Sequence, residues 1–414
     1  MEHNPDERRL RVLFLPSWYP SGEHPLEGIF IREHARAVAL YADVTVIYPL
    51  ESRPPGHRPA RVTVVLDGGL RTILIRYRAG WLNRLTGSRF RWYWLMLKWA
   101  LRLFSRGYRP DVIHAHVFKA ALPAVILARH RHIPVMVTEH YSGYARGTLT
   151  RSDKAIARYA LNRADLLAPV SAALWQSMRQ WGIYNSHRVI PNAYDGTVHY
   201  PGAGARKGDA RYKRILFAGN LTPVKGIPTL LQALASLERI DFRLQLVGAG
   251  SLQDEYERLA VTLGLEDVVS FQGAMTKEAL AEEMRACDFL VLPSQFETFG
   301  VVLIEALACG KPVIATDSGG PAEFINSDVG LRVPPGNVEA LAQAMGDMLD
   351  HHQNYQIEAL AQYVRKRYTH EVVGGKINSV YWEMMKSYTG SDRSRLHVTS
   401  HHLLNSKRLG RGPS

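Results

Sequence analysis

The chain has 414 residues, past the size at which a single core stops growing, so two domains of about 200 residues each are expected. Hydrophobic residues make up 46% and charged residues 21%, which excludes a disordered or fibrous chain, and two cysteines cannot frame a disulfide scaffold. The net charge of +13 is segregated. Residues 1–200 hold 28 Lys and Arg against 14 Asp and Glu (+14), residues 201–390 hold 18 against 23 (−5), and the last 24 hold 5 against 1 (+4). A basic N-terminal half facing something anionic, a membrane surface or a nucleic acid, is the expectation.

Met1 to Arg11 is charged and has no apolar h-region, so it is not read as a secretory signal. The longest uncharged apolar candidate, Ala120 to Ala128, is less than half of the roughly 20 residues a membrane span needs. Cys287 and Cys309 read as small core residues in a reducing compartment. The expected location is cytoplasmic.

Arg11 to Pro16 and Asp43 to Pro49 are short apolar runs with a helical pattern, Ile29 to Leu40, between them, which is a βαβ unit. Further runs follow at Arg61 to Leu66, Thr72 to Tyr77, Val112 to Ala115, Val135 to Thr138 and Leu166 to Pro169. Most are separated by helix-length segments, so a parallel sheet covered on both faces is predicted. Tyr194 to Arg214 has linker composition. Beyond it the alternation restarts, with strands predicted at Arg214 to Ala218, Phe242 to Val247, Val268 to Phe271, Phe289 to Leu292 and Pro312 to Ala315. The fold class expected is α/β, two Rossmann-like, doubly wound parallel-sheet domains facing across a cleft. The boundaries are 1–200, 201–370, a C-terminal helix over 371–390 packing back on the N-terminal domain, and a disordered basic tail over 391–414.

Ligands of open parallel sheets bind beyond the carboxyl ends of the strands. In Phe296 to Gly310 (FETFGVVLIEALACG) a helical run is apolar on every side except at Glu305, which makes that residue a carboxylate inside a buried helix. Two partners suit it: a ribose diol, or a structural hydrogen bond to a neighbouring loop. Gly300 lets a ligand approach the backbone where the helix begins. Glu297 lies three residues after Ser294, which also fits a capping box. In Phe217 to Gly226 (FAGNLTPVKG) the glycines bracket a loop whose Lys225 carries either a point charge for a diphosphate or an ordinary solvated ammonium. Val247 to Ser251 (VGAGS) reads as a turn plus an N-cap.

Glu139 and His140 fall at a strand end, His140 as a proton-handling group or as a histidine satisfied by backbone. His114 and His116 alternate along a strand with no third ligand at metal spacing, so no zinc site is read there and no metal is expected. Trp81 to Arg109 interleaves Trp81, Phe90, Trp92, Tyr93, Trp94, Trp99 and Phe104 with Arg84, Arg89, Arg91, Lys98, Arg102 and Arg106. Lys98, Arg102 and Arg106 share one helix face and Trp92, Leu95, Trp99 and Leu103 another. An interfacial membrane helix fits, as does a helix packed on the sheet with a solvated basic face. No nucleic-acid-binding module is present, and nucleic acid is not expected as a partner.

Together these segments resemble the retaining glycosyltransferases of GT-B architecture that use nucleotide-diphosphate sugars, the group 1 or family 4 set. The resemblance covers residues 11 to about 385. It rests on the E-x7-E pattern from Glu297 to Glu305, on LPSWYPSGEHPLEGIF, TEH at Thr138 to His140, VIPNAYD at Val189 to Asp195, and the AGN…KG loop. It implies that residues 1–200 serve the acceptor and residues 201–370 bind a UDP or GDP sugar. Glu305 would then hold the donor ribose, Glu297 the transferred sugar, and the amides of Phe299, Gly300 and Val301 the sugar and diphosphate. Lys225, with Gly219 and Asn220 in its loop, would meet the leaving diphosphate, His140 would line the reaction centre, and Gly28 would face the acceptor. Asn220 stands where the family commonly has Arg. No cofactor is implied, and the chain contains no Asp-x-Asp metal triad. The acceptor expected is lipid-linked or a polysaccharide, at an anionic membrane surface touched by Trp92, Lys98, Trp99, Arg102 and Arg106. Two rival readings use the same architecture: a non-hydrolysing nucleotide-sugar epimerase and a non-catalytic sugar-nucleotide-binding scaffold.

Overall fold

A computed structural model describes residues 8–51, 61–67, 69–77, 88–202 and 211–389. The chain divides into two compact units, the first comprising residues up to Val170, Trp175–Ile190 and the stretch from Val373, the second Ser171–Leu174 and Pro191–Val372. Part of the segment with linker composition and all of the expected basic tail lie outside the described residues.

The first unit holds a seven-stranded sheet of β1 (Arg11–Pro16), β2 (Asp43–Glu51), β3 (Arg61–Asp67), β4 (Leu70–Tyr77), β5 (Val112–His116), β6 (Val135–Glu139) and β7 (Leu166–Pro169), in the order β3-β4-β2-β1-β5-β6-β7. Its helices are α1 (Ile29–Ala39), α2 (Ser88–Ser105), α3 (Val117–Arg131), α4 (Gly143–Arg146) and α5 (Arg151–Leu161), followed by α6 (Ala172–Gln180). β5 and β6 are buried along their whole length, as parallel strands covered on both faces must be, and their polar residues His114, His116, Thr138 and Glu139 are buried with them. One departure from the expected parallel pattern is β3, which runs antiparallel to β4, with Asp67 opposite Leu70. Two residues are too few for a crossover, and Gly69 at φ 86 supplies the left-handed turn.

Helix α13 (His370–Thr389) buries Val373, Ile377, Val380 and Tyr381. Tyr381 bonds His114 Nδ1 at 2.6 Å, while His114 Nε2 meets the Thr138 hydroxyl at 2.7 Å.

The second unit holds β8 (Lys213–Ala218), β9 (Phe242–Val247), β10 (Val269–Gly273), β11 (Phe289–Leu292), β12 (Val313–Thr316) and β13 (Gly330–Val333), in the order β10-β9-β8-β11-β12-β13 with every pair parallel. Its helices are α7 (Ile227–Ala235), α8 (Gln253–Thr262), α9 (Lys277–Ala286), α10 (Val301–Ala308), α11 (Val338–His351) and α12 (Ile357–Tyr368). β13 has no counterpart among the sequence-predicted strands. It is four residues long, carries Arg332, and pairs on one side only. Strand order reverses between β8 and β11, so the loops leaving those two strands flank the topological switch point, where ligands of such sheets bind. Cys287 and Cys309 are buried and unbonded, and burial pushes both thiols up to about 12, which makes them inert core groups.

Candidate active site

Two sequence segments meet at the switch point of the second sheet. The loop after β8 carries Gly219, exposed Asn220 and a single turn, Pro223–Lys225. The segment after β11 runs from Ser294 to Gly300 and is tied down on both sides: the Gln295 amide donates to the Val224 carbonyl (2.7 Å), the Glu297 amide to Ser318 (3.0 Å), and the Gly320 amide to Glu297 (2.9 Å). These backbone bonds bring Lys225 Nζ to 2.6 Å from Glu297 Oε2, with the Ser294 hydroxyl 3.4 Å from the same oxygen. The side chains are 22% and 14% exposed, so the pair is half-buried yet reachable.

Gly300 is the N-cap of α10 at φ 85, a left-handed conformation that side chains other than glycine adopt at a cost. The capping-box reading of Ser294 and Glu297 is therefore corrected: the N-cap is Gly300, six residues after Ser294, and Ser294 uses its hydroxyl on the Glu297 carboxylate. Ser251 likewise caps nothing, because α8 begins at Gln253 with Leu252 as its N-cap.

Leu303, Ile304 and Leu307 of α10 are fully buried, each worth about 1.5–3 kcal/mol in water-excluded area, and they fix the rotation of the helix. Val301, Val302 and Glu305 form the opposite, partly open stripe. The expectation of a fully enclosed Glu305 is corrected: its side chain is 16% exposed, with His199 Nε2 3.8 Å from one oxygen. An α-helix supplies no partner for the amides of Val301 and Val302, which lie on the same stripe one turn before Glu305, whereas the Leu303 amide already donates to the Gly300 carbonyl at 3.0 Å. Phe299 itself is 4% exposed and packs against Phe324 and Tyr368, so only its backbone can serve a ligand.

Two carboxylates escaped the sequence reading. Glu323 accepts from the amides of Ala172 and Ala173 at 3.1 and 2.8 Å and so caps α6. Asp195, in the VIPNAYD segment, is half-buried. Burial opposes its ionisation, but the Thr197 hydroxyl and amide and the Lys277 ammonium at 3.1 Å outweigh it and hold the carboxyl well below the usual carboxylate range.

In the first unit, Glu139 is wholly buried at the end of β6 and accepts from the amides of Phe118, His140 and Tyr141, each at 2.9 Å, and from the Tyr144 hydroxyl at 3.1 Å. Burial pushes its carboxyl up to about 7 against those four donors. Its work is to hold the turn that carries His140. His116 Nδ1 lies 3.2 Å from His140 Nε2, which ties His140 to the end of β5. His34, on α1, packs edge-on against both rings. Spacing along the chain hid this third histidine: His34, His116 and His140 each offer a ring nitrogen within 4.8 Å of the others. Desolvation lowers the His114 and His116 pKa values well below 6.5, keeping both neutral. Gly28 is the N-cap of α1 at φ 69, where a Cβ would lie 2.6 Å from the Trp18 carbonyl.

Lys98 and Arg102 on α2, and Arg106 in the turn just after it, are exposed as expected. The aromatic assignment is corrected. Trp92 is half-buried and donates its indole N–H to the Pro49 carbonyl at 2.9 Å, and Trp99 is half-buried beside the Arg102 guanidinium. The outward apolar residues are Phe90, Trp94 and Leu101, with Lys98 Nζ 4.6 Å from the Trp94 ring. Trp81 and Arg84 lie outside the described residues. Among the described residues, no helix is long and apolar enough to cross a membrane.

Two parallel-sheet α/β units, one with a lysine, two glutamates and a helix start at its switch point, define the GT-B class of fold. The structure of sucrose-phosphate synthase from Thermosynechococcus elongatus is similar at a TM-score of 0.76 and 24% identity, over 92% of this chain and 100% of that one. Anabaena Alr3699/HepE, solved in complex with UDP and glucose, is similar at a TM-score of 0.70 and 22% identity, over 91% and 100%. The model of Glycosyltransferase Family 4 matches residues 29–197 and that of Glycosyl transferases group 1 matches residues 206–367, and the chain belongs to this family of glycosyltransferases. Glycogen synthase of Mycobacterium tuberculosis is 31% identical over 271 residues, 62% of this chain, so the chain spans 65% of that relative's length.

Proposed function

We propose that the protein transfers a sugar from a nucleotide diphosphate donor, of UDP or GDP type, to an acceptor with retention of anomeric configuration. The observation that carries this reading is the pairing of Lys225 with Glu297 at the start of α10, on whose open stripe Glu305 follows one turn later. Breaking the anomeric bond leaves negative charge on the diphosphate and positive charge on the sugar ring. Lys225 and the amides at Gly300 and Val301 stabilise the first, and Glu297 the second. Glu305 receives the ribose hydroxyls, and Gly219 and Asn220 border the diphosphate. Asn220 brings no charge, so the diphosphate relies on Lys225 and the amides, without a metal triad. In the first unit, His140 serves the reaction centre and Gly28 shapes the acceptor loop. The complex of the similar Anabaena protein with UDP and glucose supports a nucleotide-sugar ligand.

The basic, aromatic face of α2 supports docking on an anionic membrane surface, at the inner face of the cell membrane, with Phe90 and Trp94 entering the headgroup layer and Lys98, Arg102 and Arg106 meeting phosphates. A lipid-linked or polysaccharide acceptor suits that position.

The test is calorimetric titration with UDP and GDP of the wild type and of Glu305→Ala, together with assignment of the product anomer by NMR. Loss of nucleotide binding in Glu305→Ala and an unchanged anomer are expected. Unchanged affinity, or inversion, overturns the reading, and an isomerised donor formed without acceptor identifies an epimerase instead.

A further inference from the structure

Three histidines meet inside the first unit, each from a different element: His34 from α1, His116 from the end of β5 and His140 from just beyond β6. All three are buried, and one ring nitrogen of each lies within 4.8 Å of the other two. An ion held tetrahedrally by imidazoles at roughly 2.0–2.1 Å keeps their nitrogens about 3.3 Å apart. The distance from His116 Nδ1 to His140 Nε2, 3.2 Å, already has that spacing. A pair at the 4.8 Å limit reaches it by closing about 1.5 Å, within the range of a side-chain rotation.

The rings are held in place before any ion arrives. His140 follows Glu139, whose carboxyl fixes the turn by accepting from the amides of Phe118, His140 and Tyr141. The His116 ring stacks on Phe14 with 5.0 Å between centroids, and the His34 ring stands edge-on to His116 and His140 at 5.7 and 5.4 Å. Ligands supported in this way lose little freedom on binding a metal. His116 Nε2 is buried and has no hydrogen-bond partner among the described residues, so the ring keeps one unsatisfied nitrogen in either tautomer. His114 stands outside the set, because Tyr381 and Thr138 engage both of its nitrogens.

We infer that His34, His116 and His140 bind a divalent transition-metal ion of the zinc type, which ties α1 to the ends of β5 and β6 and leaves a fourth position to an oxygen donor such as water. Imidazole nitrogens suit zinc, cobalt, nickel or copper, whereas magnesium and calcium need oxygen ligands. The inference goes beyond the transferase reading and does not depend on it. Since His140 also belongs to the proposed reaction centre, the readouts are binding, spectra and stability rather than turnover.

The experiment uses the full chain, stripped with EDTA and titrated near neutral pH with zinc, cobalt, magnesium or calcium chloride. Cobalt is expected to give the intense visible bands of four-coordinate geometry, and zinc to raise Tm by about 5–10 °C at about a hundredfold excess over its Kd. Magnesium and calcium are expected to do neither. In 15N-histidine NMR of the wild type, zinc is expected to shift the ring nitrogens of three residues, assigned from the stripped spectra of His34→Gln, His116→Gln and His140→Gln. His34→Gln and His116→Gln are each expected to weaken zinc binding more than about 100-fold. Zinc that fails to bind, that shifts fewer than these three rings, or that binds both variants as tightly as the wild type overturns the inference, the last result placing the ion elsewhere on a chain of 17 histidines. The wild-type spectrum decides the matter even where a variant misfolds. Zinc binding intact alongside absent UDP binding sinks the transferase reading and leaves the metal site standing.

Discussion

Replacing Lys225 and replacing Glu297 should move nucleotide affinity in opposite directions, because each is the other's partner until a diphosphate arrives. The pair is 2.6 Å apart and its side chains are 22% and 14% exposed, so solvent screening limits its net worth to about 1 kcal/mol. Lys225→Ala removes a charge-assisted bond to the diphosphate worth about 1.5–3 kcal/mol, which weakens UDP binding roughly 10- to 150-fold. Glu297→Gln frees the ammonium from its competitor and should strengthen UDP binding by up to about fivefold, the equivalent of that 1 kcal/mol. The same substitution removes the carboxylate proposed to face the sugar, so turnover of the sugar donor should fall about 10²- to 10³-fold, the scale seen when one transition-state contact is deleted. Calorimetry with UDP at fixed ionic strength and a donor-consumption assay measure the two effects. If both variants weaken UDP alike, or if Glu297→Gln keeps full turnover, the pair is a structural tie and the mechanism is wrong.

Other outcomes can be tested alongside it. Neutralising Lys98, Arg102 and Arg106 together should reduce partition onto anionic liposomes about 100-fold, at about 1 kcal/mol per charge, and flotation that stays independent of those charges would remove α2 from the membrane surface. Gly28→Ala puts a Cβ 2.6 Å from the Trp18 carbonyl at φ 69 and should destabilise the first unit by about 2 kcal/mol, read by calorimetry as a fall in Tm of about 4–8 °C.

Stability should also depend on pH in a way that separates Glu139 from His114 and His116. Burial raises the Glu139 pKa to about 7, so between pH 4.5 and 7 the folded chain holds a proton the unfolded chain has released, and this group's contribution falls as pH rises. His114 and His116 have lowered pKa values, so below pH 6.5 the unfolded chain gains two protons that the folded chain refuses, and their contribution falls as pH drops. From pH 6.5 toward 5 the two histidines outweigh the one carboxyl, so the three groups together should lower stability, and Glu139→Gln should make that fall about twice as steep. Equal slopes in urea titrations at pH 5 and 6 would mean that Glu139 is ionised when folded.

The sequence carried the parts of this protein that depend on neighbours along the chain. Apolar runs in β11 and β12, and at the start of β5 and β6, announced strands buried on both faces, because a strand with no wet side has no reason to alternate. The single acid in the apolar helix marked Glu305, and Lys225 could be weighed because it closes a loop straight after a strand. β13 was illegible because four residues with an arginine among them bury too little to leave a pattern, whereas β3 was read as an apolar run at the right place and only its direction was missed, since a short run does not say which way its strand points.

What folding alone decided is distance between residues remote in the chain. Lys225 and Glu297 are 72 positions apart, and backbone bonds from three loops bring them to 2.6 Å. His34 joins His116 and His140 only because folding brings the ring on α1 against the ends of β5 and β6, which spacing rules cannot register. Trp92 and Trp94 share a composition and nearly a position, yet one is held by Pro49 and the other faces water, since two residues of helix rotate a side chain by about 200°. Local physics along the chain fixes which elements form and which residues are chemically able; packing of distant elements fixes which of those residues can act together.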